Sequence, residues 1–134
     1  MIRVVLDTNV LISALLNPAG PPAEVFLRAI LDEETQLCVS SEIYEEYEEV
    51  LRRPRLRRSE SEVGNTLRTI RSRGYWVSPA DRVRACTDSD DDIFLECAVS
   101  ADARYLVTGN LKHFPKNWER VAIVTPRQFL DFFA

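Results

Sequence analysis

The sequence predicts a three-layer α/β/α domain with a central, mostly parallel sheet of about five strands. Two observations carry that expectation. Short β-prone apolar runs alternate with longer segments whose apolar residues recur at helical spacing, the pattern of βαβ units joined by right-handed crossovers. Hydrophobic residues make up 46% of the 134 residues and charged residues 28%, enough for a core that needs neither disulfide nor structural metal. No internal repeat, low-complexity tract or long linker interrupts the chain, so residues 1–134 are expected to form one domain.

The elements follow in order. Ile2 to Leu6 is a continuous β-prone run, read as a strand buried on both faces. Thr8 to Leu16 reads as a helix, stopped by Asn17-Pro18-Ala19-Gly20-Pro21. Pro22 suits the first turn of a second helix, with Val25, Phe26, Ala29 and Ile30 at helical spacing. Gln36 to Val39 is a second strand. Ser40 or Ser41 can cap a third helix running to about Arg53, before Pro54. A fourth helix covers roughly Ser59 to Arg73, and Tyr75 to Val77 is a third strand ended by Ser78-Pro79. Ser89 can cap a helix reaching about Asp102. Tyr105 to Thr108 and Val121 to Val124 complete the strands, and Thr125-Pro126 opens a last helix with Phe129, Leu130 and Phe133 on one side.

Cys38, Cys86 and Cys97 are odd in number and widely spaced, which argues against a disulfide framework or a zinc site and for reduced thiols in a cytoplasmic protein. No stretch approaches the roughly 20 apolar residues of a membrane span. Net charge is −4, but its distribution is uneven. Residues 52–73 hold eight arginines against two glutamates, a local excess of +6 that leaves −10 for the rest. A basic arm beside an acidic body suits phosphate gripping plus metal holding, although a solvated helix face has the same composition.

The acids fall at telling places. Asp7 directly follows the first strand, where a ligand-binding carboxylate or an ordinary N-cap would stand. The third helix buries a stripe of Ile43, Tyr47, Val50 and Leu51, which Glu46 and Glu48 flank; periodicity does not separate the two. Asp88-Ser89-Asp90-Asp91-Asp92 puts four carboxylates at the start of an almost wholly apolar helix. Their mutual repulsion would be relieved partly by the helix terminus and more by a divalent cation. Helical periodicity does not choose between Asp91 and Asp92. Gly109-Asn110 adds a polar oxygen past the fourth strand, or simply makes a turn. Hard oxygen donors of this kind suit Mg²⁺ or Mn²⁺. The lone histidine, His113, follows a loop and reads as a surface residue, with Lys112-His113 a phosphate contact at most.

Val5-Leu6-Asp7-Thr8-Asn9-Val10-Leu11, Glu46-Tyr47-Glu48-Glu49-Val50-Leu51-Arg52-Arg53-Pro54, Asp88 to Ala98 and Tyr105-Leu106-Val107-Thr108-Gly109-Asn110 together resemble the PIN-domain proteins, the fold of VapC-type toxin ribonucleases. In that order and spacing they span nearly the whole chain. The resemblance implies a Mg²⁺- or Mn²⁺-dependent endoribonuclease with Asp7, Glu46 and one acid of the cluster on the metal. The family's acid followed seven residues later by alanine points to Asp91, through Ala98; Asp92, 18 residues before Asn110, fits the distance to the last motif slightly better. Asn110 stands where the family often has Asp. It can accept through its carbonyl oxygen but brings no charge, which bears on a second metal and on full activity.

The same resemblance makes Thr8, Asn9, Asp88 and Thr108 supporting hydrogen-bonders. It makes Arg52, Arg53, Arg55, Arg57 and Arg58 contacts to the RNA backbone. It further implies an antitoxin protein as partner, and a homodimer for which the apolar face of the last helix offers a surface. The alternative is a PIN-like domain that binds RNA or a protein without cutting. A phosphatase of the haloacid-dehalogenase kind ranks last, because it needs a second Asp where Asn9 stands.

Overall fold

The structure is a computed structural model that describes residues 1–133. Six strands form one sheet: β1 (Ile2–Leu6), β2 (Thr35–Val39), β3 (Tyr75–Trp76), β4 (Tyr105–Val107), β5 (Asn117–Trp118) and β6 (Val121–Val124). Their spatial order is β3-β2-β1-β4-β6-β5. All pairings are parallel except β5 with β6. The sheet is therefore mostly parallel as expected, but it has six strands rather than about five. The extra one, β5, is a two-residue edge strand in a hairpin with β6, too short to leave a period-2 signal.

Helices α1 (Thr8–Leu16), α2 (Pro21–Leu31), α3 (Ser41–Leu51), α4 (Glu60–Arg73), α5 (Asp92–Ser100) and α6 (Pro126–Asp131) flank the sheet. Successive strand residues point to opposite faces, yet Val4, Val5 and Leu6 are each fully buried, as are Cys38 and Val39 and Leu106 and Val107. Both faces are thus covered, which is why the apolar residues of these strands are consecutive rather than alternating. Buried side chains from strands and helices join in one core, with Tyr47, Phe94 and Phe129 its largest fully enclosed members.

The helix starts carry their caps. Ser40 Oγ accepts from the Ile43 amide, Ser59 Oγ from the Glu62 amide, and Thr125 and Gln128 form a reciprocal capping box before Pro126. The start of α5 differs from expectation: a 3₁₀ turn covers Ser89–Asp91, and Asp88 rather than Ser89 accepts at its head, from the Asp90 amide. All three cysteines are free thiols. No single helix among the described residues is long and apolar enough to cross a membrane.

Between β1 and β4 the strand order reverses, since β2 and β3 lie to one side of β1 and β4, β6 and β5 to the other. A parallel sheet opens a crevice at such a point, outside the carboxyl ends of its strands. Asp7 and Thr108 are the residues directly after β1 and β4.

Candidate metal centre

Asp7 is buried at the mouth of the β1–β4 crevice. Its amide donates to the Val107 carbonyl, continuing the parallel ladder one step past Leu6. Its Oδ2 accepts from the Thr108 hydroxyl at 2.7 Å and from Asn9 Nδ2 at 3.0 Å. Thr108 is fixed in turn by the Asn110 amide, which donates to its Oγ1 at 3.0 Å, and Asn9 Oδ1 accepts from the Gly109 amide at 3.1 Å. The two strand-end loops are thereby laced together around one carboxylate.

Glu46 reaches this place from α3, where the Thr8 hydroxyl donates to its Oε2. Glu48, which periodicity could not separate from it, instead pairs with Arg52 on the exposed side. Asp91 comes from the 3₁₀ turn before α5. Burial raises the carboxyl pKa of all three. Their neighbours' charges raise it further: Glu46 acts on Asp7, Asp91 on Glu46, and Asp7 on Asp91. Asp91 is pushed up to about 6, from burial first and then the charges of Asp7 and Asp88. The hydrogen bonds from Thr108 to Asp7 and from Thr8 to Glu46 pull the other way.

Three acids from positions 7, 46 and 91 therefore share one electrostatic environment. They do not form a closed cage: among the described residues, no three acidic, imidazole or thiol side chains stand close enough to chelate an ion as placed. The donor set nonetheless fits a hard divalent cation. Glu46 Oε1 carries no hydrogen bond among the described residues, so that acid keeps one oxygen for a ligand while its other is held.

Asp92 is placed differently. Its Oδ1 accepts from the Ala85 and Cys86 amides at 3.1 and 2.9 Å, and these bonds hold its pKa below the usual range despite burial. It ties the connection from β3 to the start of α5, and Glu96 does the same one turn on by accepting from the Val83 amide. Of the two acids that sequence left open, Asp91 is the one in electrostatic contact with Asp7 and Glu46. Asp88 caps the 3₁₀ turn. Asn110 is exposed, and its side chain makes no hydrogen bond to the acids.

Part of the arginine arm is answered locally. Arg52 bridges Glu48 and Glu60, Arg53 pairs with Glu49, and Arg58 lies 3.9 Å from Glu62. Arg55 and Arg57 are exposed and form no ion pair among the described residues. His113 is the residue that sequence reasoning set aside. Although exposed, its Nδ1 lies 3.8 Å from Asp91 Oδ2, and its charge would lower the pKa of both Asp91 and Asp7. The signal was its place, three residues past Asn110 in the loop leaving β4.

Comparison with known proteins agrees with the fold. A chain in the crystal structure of VapBC2 from Rickettsia felis bound to a DNA fragment from their promoter superposes with a TM-score of 0.58 at 12% identity, over 92% of this chain and 98% of that one. An uncharacterised protein of Methanocaldococcus jannaschii is 30% identical over 98% of this chain and 92% of its own length. Residues 3–112, which run from the first strand through the crevice to the loop before His113, match the PIN domain, and the chain belongs to that family.

Proposed function

We propose that the protein is a Mg²⁺- or Mn²⁺-dependent endoribonuclease acting in the cytoplasm, and the toxin of a toxin–antitoxin pair. The observation that carries this reading is the meeting of Asp7, Glu46 and Asp91, distant in sequence, at the carboxyl ends of β1 and β4. These three residues would hold the ion. A bound divalent ion would polarise the scissile phosphate and lower the pKa of attacking water.

The chain's own groups have separable duties. Thr108 and Asn9 orient the Asp7 carboxylate, and Thr8 orients Glu46. His113 offers an imidazole N–H beside Asp91, where an RNA phosphate would lie. Arg55 and Arg57, exposed and outside the ion pairs among the described residues, have charge to spare for backbone phosphates, which position RNA without reading its sequence.

The test is cleavage of a labelled single-stranded RNA with Mg²⁺ or Mn²⁺, with and without EDTA, by wild type and Asp7→Asn. Metal-dependent cutting by wild type alone is the expected result. Equal cutting by both proteins removes the proposed centre.

An apolar groove of about 250 Å³ supports the partner half of the proposal. Leu11 and Leu15 of α1 and Ala23, Phe26 and Leu27 of α2 line it, with Glu62 and Thr66 of α4 beside them. It suits an amphipathic segment of an antitoxin. Phe132, 55% exposed and stacked on Tyr105, supports a homodimer through the last helix. The alternative reading, an RNA-binding but non-cutting domain, draws on Asn110, which supplies no charge. Retention of RNA with no cleavage in either metal would favour it.

A further inference from the structure

Two adjacent residues of α3 grip the two residues of β1 and its exit that flank Asp7. The fully buried Tyr47 hydroxyl donates to the Leu6 carbonyl, and the Thr8 hydroxyl donates to Glu46 Oε2. The bonds run in opposite directions, from α3 to the end of β1 through Tyr47 and from the first residue of α1 to α3 through Thr8. Asp7 lies between the two strand-side anchors, and Glu46 is itself one of the helix-side pair.

The Leu6 carbonyl takes this bond because of where the sheet opens. Pairing between β1 and β2 runs from Ile2↔Thr35 to Val4↔Leu37, whereas pairing with β4 continues to Leu6↔Val107. On its β2 side, Leu6 therefore lies beyond the paired register, and a buried carbonyl there without a donor would cost stability. Phenylalanine would fill the same core volume and leave that carbonyl bare, so packing alone does not account for the hydroxyl.

We propose that Tyr47 is a positioning residue for the metal centre: with Thr8 it forms a two-point clamp that fixes α3 in register and rotation on β1 and so holds Glu46 to Asp7. The proposal rests on the reading of these acids as a divalent-ion centre. A single bond would let the helix pivot about it; two bonds on either side of Asp7 do not. The clamp also decides which oxygen is offered, since Oε2 of Glu46 is occupied by Thr8 and Oδ2 of Asp7 by Thr108 and Asn9.

The test is Mn²⁺ titration of the metal-stripped full chain, followed by electron paramagnetic resonance well below the melting temperature. Wild type is compared with Tyr47→Phe, Thr8→Val and, as a stability control, Val63→Ala in the core face of α4. Tyr47→Phe and Thr8→Val are each expected to weaken Mn²⁺ affinity by about tenfold or more, the usual effect of losing a group that orients a ligand. Val63→Ala lowers the melting temperature with the Mn²⁺ affinity unchanged. Wild-type affinity in Tyr47→Phe would overturn the positioning role and leave the hydroxyl a stabilising bond only. Thr8→Val reads the same clamp from the strand end, whether or not Tyr47→Phe folds. If wild type itself binds no Mn²⁺, the centre and the clamp's purpose fall together, which is a separate result from failure of the clamp alone.

Discussion

The crevice at β1 and β4 and the arm between α3 and α4 are both charged, and they treat charge in opposite ways. In the arm, Arg52, Arg53 and Arg58 are exposed and answered locally by Glu48, Glu49, Glu60 and Glu62. In the crevice, Asp7, Glu46 and Asp91 are wholly or partly buried, raise one another's pKa, and have no basic side chain beside them among the described residues but the exposed His113. Ion pairs at the surface contribute little and bind nothing. Unanswered buried charge is costly to keep, and a divalent cation at the proposed centre would relieve that cost.

The largest break in that contrast is expected from Asp7→Asn and Asp91→Asn. RNA cleavage should fall at least about 100-fold, since loss of a mere ligand-orienting group already costs 10- to 100-fold. Melting of the metal-free variants should not fall, because a repulsive charge has been removed. Asp92→Ala should do the reverse. It strips two amides of a charged acceptor, so urea unfolding should show a loss of about 2–3 kcal/mol, while Mn²⁺ affinity changes less.

Acidity sharpens the comparison. Asp91 titrates at about 6 when folded against 3.8 ordinarily, so its ionisation penalty is present above pH 6 and gone below about 3.8. Asp7 and Glu46 are raised in the same sense. Asp92 is lowered, so its stabilisation is full above the ordinary value and lost only as pH falls through its depressed one. EDTA-treated protein followed by circular dichroism should therefore melt higher at pH 5 than at pH 7, and saturating Mn²⁺ should erase the difference. The smallest effect belongs to the arm. Replacing Arg55 and Arg57 together by glutamine should reduce the salt dependence of RNA binding by about two phosphate contacts. Replacing Arg52 and Arg53 should change it less, because those charges are already paired.

Much of the frame was legible because β1, β2 and β4 are buried on both faces and so carry consecutive apolar residues, Val4-Val5-Leu6, Leu37-Cys38-Val39 and Tyr105-Leu106-Val107; β5 was not, being two residues held by a hairpin turn. Glu46 and Glu48 flank the same buried stripe, and periodicity does not tell them apart; contact with Thr8, at the start of α1, does. Periodicity failed to separate Asp91 from Asp92 for another reason. The chain before α5 is a 3₁₀ turn, which advances 120° per residue rather than about 100°, so the wheel drawn for α5 does not extend back to Asp91. Tyr47 was visible as a core residue and not as a donor, because a stripe of apolar positions records the ring and is silent on the hydroxyl. Tertiary contact alone supplied what was missing.

Both borders of the sheet are two residues long: β3 on one flank and β5 on the other. A neighbouring molecule seeking to add a strand finds almost no free amide–carbonyl row to copy. The fold can thus hold a long, strongly apolar centre such as Val4-Val5-Leu6 without offering a template for fibrous self-association, even while a crevice at its top stays open to solvent.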